Sequence, residues 1–212
     1  MENVKFDTKA IQLQGTEVVL LVGSTASGKT TYCQELIVNH KHTLRTQPSK
    51  ISWYSLFKED SVLDKLRSNL PKCEVTHVHV TPSTYPLVTQ RLNNLIEGTE
   101  EEEEGQEEGK EDGMHILVLD DCQVGEGGGG YTYVWVHLRT HQAFLERDKD
   151  LLALFTAVAH HRRLLIVVMG QHLYSNTIWR QLSRQCALIV LFADPRLIPS
   201  LKVFSSQVCE RR

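Results

Sequence analysis

Eight residues near the amino end, Gly23-Ser24-Thr25-Ala26-Ser27-Gly28-Lys29-Thr30, constrain this chain more than any other stretch. They follow directly on the apolar run of residues 18–22 and fit the pattern G-x-x-x-x-G-K-[ST]. In such a loop the glycines let successive backbone N–H groups curl around the β-phosphate of a nucleotide. Lys29 then reaches the β and γ oxygens, and the Thr30 hydroxyl ligates Mg²⁺. The order strand, loop, helix is expected, with a helix beginning at Lys29 that turns its positive dipole end to the anion. Gly23, Ser24, Thr25, Ala26, Ser27, Gly28, Lys29, Thr30 and Thr31 are therefore the candidate nucleotide-binding residues, for ATP with Mg²⁺. Neither a guanine-reading N-K-x-D motif nor an adenine-specific one marks the base.

The remaining pattern alternates strand and helix. Strands are expected at residues 17–22, 51–55, 75–80, 115–119, 164–169 and 188–192, with helices at 29–39, 60–70, 85–96, 149–161 and within 175–184. Val62, Leu63, Leu66 and Leu70 recur at helical spacing, and residues 131–136 read as a short strand beyond the glycine run 125–130. Most strands are near-continuous apolar runs, which argues for a parallel sheet covered on both faces. The expected fold is α/β, a P-loop NTPase with a mostly parallel sheet and helices on both faces. Ligand then belongs at the carboxyl ends of the strands.

The 212 residues suit a single domain. No apolar run approaches the ~20 residues of a membrane-spanning helix, and the first fifteen residues carry Glu2, Lys5, Asp7 and Lys9 where a secretory signal would be apolar. A soluble intracellular protein without a membrane partner is expected. Five scattered cysteines form no C-x-x-C, so neither a disulfide framework nor a zinc site is indicated. The net charge of −3 hides an asymmetry. Residues 97–113 hold ten acidic residues and one lysine, which leaves 22 basic against 16 acidic residues elsewhere, a body of +6. An acidic block without aromatic or β-branched partners is read as a disordered surface insertion. The functional alternative is an internal mimic of nucleic acid that shields a basic surface.

After the insertion, the run His115-Ile116-Leu117-Val118-Leu119 ends in Asp120-Asp121, the form of a Walker B strand. Asp120 is assigned to the Mg²⁺ shell through water, and Asp121 to polarising the attacking water. The next apolar strand ends at Met169-Gly170-Gln171, and Gln171 is a candidate for contacting the γ-phosphate or orienting that water. Arg180 and Arg184 lie one helical turn apart; an arginine reaching across a subunit boundary stabilises phosphoryl charge in the transition state. Lys29, Asp120, Asp121, Gln171 and Arg180 form the candidate catalytic set.

Asp120-Asp121-Cys122, Leu154-Phe155, His160-His161-Arg162, Ile166-Val167-Val168, Gln171-His172-Leu173-Tyr174, Arg180, Ile189-Val190-Leu191-Phe192 and Pro195-Arg196 together resemble the carboxyl-terminal half of viral genome-packaging ATPases. These are the FtsK/HerA-type enzymes of poxviruses and other large DNA viruses, and their relatives in Polinton/Maverick elements. The resemblance covers the phosphate loop and nearly everything from Asp120 to Arg196; residues 51–86 fit only in layout. It implies a RecA-like core in which the Walker B strand and the phosphate-loop strand flank the Gln-bearing strand. It also implies a homo-oligomeric ring that moves double-stranded DNA by ATP hydrolysis, with Gln171 as sensor and Arg180 as the finger in trans. A capsid or portal protein is a further implied partner, and the nucleus, cytoplasm or virion a working site. Asp121 departs from the family's Glu and has the shorter reach, and the acidic insertion is not part of the pattern. Arg139, Arg147, Arg162 and Arg163, with the glycine-rich loop, are candidate DNA contacts. Competing readings are a nucleotide or small-molecule kinase, and a regulatory protein that binds nucleotide without hydrolysing it.

Deleting residues 97–113 is expected to leave affinity for double-stranded DNA unchanged in a salt titration; tighter binding by the deletion variant would establish the nucleic-acid mimic instead.

Overall fold

A computed structural model describes residues 12–55, 61–81, 94, 113–120, 164–171, 173 and 177–209. In chain order these form β1 (Val18–Val22), α1 (Lys29–Val38), α2 (His40–Thr43), β2 (Pro48–Ser55), α3 (Ser61–Asn69), β3 (Glu74–His79), β4 (Met114–Asp120), β5 (Leu164–Gly170), α4 (Thr177–Gln185), β6 (Leu188–Leu191), a 3₁₀ turn (Pro195–Leu197) and α5 (Ile198–Cys209). The six strands make one sheet in the order β3-β2-β4-β5-β1-β6, and every pairing is parallel. This is the α/β architecture expected from the sequence, a parallel sheet with helices on both faces.

Burial explains the strand compositions. β1 and β5 are buried along their whole length, as is β4 apart from a partly exposed His115, so both faces of the sheet centre are dry and both are apolar. β3 and β6, at the edges, are only half-buried and more polar in β3, where Thr76, His77 and His79 stand. Side chains alternate between two layers of core. On one face Leu20, Val22, Tyr54, Leu117, Ile166 and Val168 pack with Leu182 of α4 and with Leu201 and Phe204 of α5. On the other face Val19, Leu21, Ile51, Trp53, Val118 and Val167 meet Cys33, Leu36 and Ile37 of α1 and Leu63 and Leu66 of α3. Helices thus cover both faces. The two inner helices of the second layer are further tied by an ion pair between Lys65 and Glu35.

The boundaries move by one to three residues for local reasons. β2 begins at Pro48 rather than at residue 51, and its register against β4 shifts between Pro48 and Lys50. Proline brings no N–H to a ladder, so it is tolerated at this first strand position. α1 ends at Val38, where Asn39 turns back and its Nδ2 donates to the Glu35 carbonyl at 2.9 Å. α2 and α5 were not expected from the sequence; α5 carries Pro199, Ser205 and Ser206, which blur its periodicity. The expected helices at 85–96 and 149–161, the strand at 131–136 and the acidic insertion lie outside the described residues, apart from residue 94, which is helical, and Gly113.

A half-buried histidine supplies a test of this packing. His115 on β4 shares a 2.9 Å hydrogen bond between its Nε2 and the Ser52 Oγ on β2. Burial, and secondarily the Lys50 charge, push its pKa from the ordinary 6.5 down to about 4. The folded protein therefore holds it neutral while the unfolded chain protonates it. Its contribution to stability is complete above pH 6.5 and declines as pH falls towards 4, by about 3 kcal/mol in all. Denaturant unfolding at pH 7.5 and pH 5 is expected to show about 2 kcal/mol of this loss, and His115→Gln, which can still bond Ser52, is expected to lack most of it.

Candidate functional site

The loop between β1 and α1 is built by backbone conformations that only some residues tolerate. Gly28 stands at φ +96° as the residue before α1, and Ala26 also takes the left-handed region at φ +62°. Gly23 leaves β1 where a Cβ would lie 2.6 Å from both the Phe192 Cβ and the Ser27 Oγ. The first glycine is therefore required by space and the second by backbone dihedral. The loop is anchored at both ends, by Gly23 N–H to the Gly170 carbonyl at 3.0 Å and by Tyr32 N–H to the Gly28 carbonyl at 2.9 Å.

That last bond is the start of the α1 ladder, so the amino end of α1 turns its first N–H groups out along the helix axis. No side chain caps this helix, and no carboxylate stands in its first turn. A helix N-terminus left bare of acids attracts an anion. Within the loop the Ser27 Oγ is buried, lies against Gly23 and has no hydrogen-bond partner among the described residues. Lys29 is only 4 % exposed. Its ammonium donates to the Gly23 carbonyl at 2.9 Å and to the Ser24 carbonyl at 3.0 Å, so the charge is held over the loop by the loop's own backbone.

The neighbouring strands deliver their terminal residues to the same layer. In β4 the alternation that puts Ile116 and Val118 into the core beneath α1 puts Asp120 on that face as well, at the carboxyl end and buried. Its negative charge is felt by Cys33 on α1, whose thiol is pushed well up, first by burial and then by Asp120. Cys33 lies three residues beyond Thr30, so the carboxylate sits against the first turns of α1. Gln171, just past β5, donates from Nε2 to the Thr25 Oγ at 3.3 Å and so reaches the loop directly. β5 lies between β4 and β1, which is the order the sequence resemblance implied for the Gln-bearing strand.

Lys29, Thr30, Asp120 and Gln171 thus come together at one sheet end. Arg180 does not join them; it is exposed on α4, with Arg184 likewise exposed one turn on. Asp121, and the candidate DNA contacts Arg139, Arg147, Arg162 and Arg163, lie outside the described residues. Sequence reasoning missed Phe192 and Tyr32. Their rings meet edge-to-face, centroids 5.8 Å apart, and Phe192 buttresses both loop glycines from the end of β6. An aromatic at the end of an apolar run reads as ordinary core, so only the fold reveals that it braces the loop.

No protein-family model and no curated protein matches this sequence significantly. Solved structures do match in fold. The genome packaging NTPase B204 from Sulfolobus turreted icosahedral virus 2, solved in complex with AMP, aligns with a TM-score of 0.50 and 15 % identity over 87 % of this chain and 79 % of that one. The cytoplasmic domain of EssC aligns with a TM-score of 0.53 and 11 % identity, over 88 % of this chain but only 33 % of its own. At these identities the likeness establishes a shared fold.

Gly23→Ala is expected to destabilise the protein by about 1–3 kcal/mol, because the added methyl meets packed atoms that must move. Chemical denaturation of the variant measures this directly, and an unchanged midpoint would contradict the close approach at Phe192.

Proposed function

We propose that this protein binds ATP at the loop of residues 23–30 and hydrolyses it, and that hydrolysis is coupled to moving double-stranded DNA by a homo-oligomer. The observation that carries the reading is the convergence of four groups at one sheet end. These are an uncapped helix N-terminus, a buried lysine over it, a buried aspartate at the end of β4, and a glutamine from the strand between.

The chain's own residues divide the work. The N–H groups that open α1 receive the β-phosphate, and the Ser27 hydroxyl gains an acceptor there. Lys29 turns a donor from the loop carbonyls to the β and γ oxygens, exchanging one set of oxygens for a charged one. Thr30 and Asp120 offer a hydroxyl and a carboxylate, the hard oxygen donors that suit Mg²⁺. Mg²⁺, when bound there, neutralises charge on the phosphate oxygens. Gln171 holds water in line with the γ-phosphate, and Asp121 accepts its proton.

Arg180 is the candidate finger for a neighbouring subunit's nucleotide, and its exposure on α4 suits action in trans. The DNA-moving part of the reading is supported by the basic body that remains once residues 97–113 are set aside, and by the likeness in fold to B204, a genome packaging NTPase. A capsid or portal protein is the partner that such a motor would work against.

The test is ATP turnover with and without double-stranded DNA, together with sedimentation over a range of protein concentration. The expected outcome is turnover that rises with DNA and with assembly. Lys29→Ala and Asp120→Ala are each expected to lower turnover by at least about 100-fold, and Gln171→Ala by about 10–100-fold with nucleotide affinity largely kept. Arg180→Ala is expected to act only in the assembled state. A monomer that hydrolyses ATP and ignores DNA would leave the ATPase and remove the motor.

A further inference from the structure

The carboxyl end of the sheet carries a polar row that extends away from the nucleotide loop and that the mechanism above does not use. Ser55 closes β2, and its backbone is in register with Asp120 of β4 on one side and with His79 of β3 on the other. Trp53, two residues earlier, belongs to the core layer beneath α1, as does Val118 two residues before Asp120. Ser55 and Asp120 therefore point to the same face from adjacent strands, whose spacing is about 4.8 Å. Ser55 is 4 % exposed, a buried hydroxyl at the rim of the site. Its Oγ lies 3.0 Å from the Nε2 of His77 on β3. The row on this face runs His77, Ser55, Asp120, and then on to Gln171 and the loop.

Asp120 has two register partners, and they differ in kind. On the β5 side stands Met169, fully buried and apolar; on the β2 side stands Ser55. Within the sheet, a hydroxyl is thus offered to the carboxylate from one side alone. A serine hydroxyl has one proton to give and two lone pairs to receive with. When the His77 Nε2 carries its hydrogen, it donates to the Ser55 Oγ, and the Asp120 carboxylate stands in register beside that hydroxyl on the adjacent strand and on the same face. An oriented donor of this kind fixes which carboxylate oxygen is turned towards the metal shell, in the way outer partners orient metal-binding groups generally.

We infer that Ser55, held by His77, is a positioning residue for the Asp120 carboxylate and thereby for the metal-dependent part of nucleotide binding. The inference rests on the nucleotide-binding reading of the loop, and it concerns residues on strands that the phosphate-loop motif does not contain.

The experiment separates the two. Affinity for a fluorescent ATP analogue is measured with EDTA and with Mg²⁺, alongside the thermal midpoint of the ligand-free protein. Ser55→Ala is expected to bind the analogue in EDTA within about twofold of wild type, while the gain on adding Mg²⁺ falls about tenfold, the scale of a lost hydrogen bond to a charged group. Ser55→Thr restores the hydroxyl and is expected to restore the gain. His77→Leu, at the half-buried edge of the sheet, is expected to fold normally and to lose a smaller part of the gain, about threefold, whereas His77→Gln, whose amide can still donate, keeps it. An undiminished Mg²⁺ gain in both Ser55→Ala and His77→Leu overturns the positioning role, as does a loss of affinity equal in EDTA and in Mg²⁺. A wild type that binds the analogue without any Mg²⁺ gain overturns it too, leaving nucleotide binding intact. If wild type binds no analogue, or Lys29→Ala binds as well as wild type, the reading of the loop itself fails.

Discussion

The site depends on β1 being paired along both edges and buried on both faces. Its register with β5 and with β6 runs from end to end, so the chain leaves the sheet at a fixed height and direction. Gly23 passes under Phe192 at that exit, with room for a hydrogen and not for a methyl. Gly28 then turns the chain into α1 through a left-handed dihedral. A rigid strand on one side and a helix packed on the core at Cys33, Leu36 and Ile37 on the other hold the loop between them. This is how a short, backbone-rich loop is held in one shape.

The charges in this layer are arranged around that loop. Burying an ammonium is costly unless it is satisfied, and Lys29 is satisfied by the carbonyls of Gly23 and Ser24. Those contacts store the lysine close to where phosphate oxygens would arrive. Asp120, buried on the same face, is kept apart from the loop by the width of β5, and Gln171 spans the intervening strand end. Cys33 stays a neutral thiol between them, because desolvation and the aspartate's charge both oppose its ionisation. It acts as a small apolar filler against the back of the loop. Ser55 and His77 continue the polar layer on the far side of Asp120, so the aspartate stands between two sets of oriented groups rather than at the end of one.

Much of this was legible in advance, and the reasons differ by residue. The strands at 18–22, 164–170 and 188–191 are apolar on both faces because the sheet is covered on both, and such runs are hard to mistake. The loop was legible because its chemistry is local: the glycines, the lysine and the threonine act within eight consecutive residues. α5 was not, since its proline and paired serines interrupt the spacing that marks a helix, and its contacts through Leu201 and Phe204 are made to distant strands. Phe192, Tyr32, Ser55 and His77 look like unremarkable strand and helix residues until the sheet order is known.

The sequence by itself determined that a glycine-rich loop of the G-x-x-x-x-G-K-[ST] pattern joins a buried strand to a helix, and that strands ending in Asp120 and Gln171 accompany it. Those features are set by local backbone freedom and by hydrophobic periodicity, which nearest neighbours in the chain decide. Only the tertiary structure decided that β5 lies between β4 and β1, that Gln171 touches Thr25, and that Ser55 stands in register with Asp120 and within hydrogen-bond distance of His77. Strand order depends on how crossover helices pack over the whole sheet, and each of those contacts joins residues far apart in the chain. A hydroxyl and a carboxylate distant in the chain come side by side on one face only where parallel register sets them there.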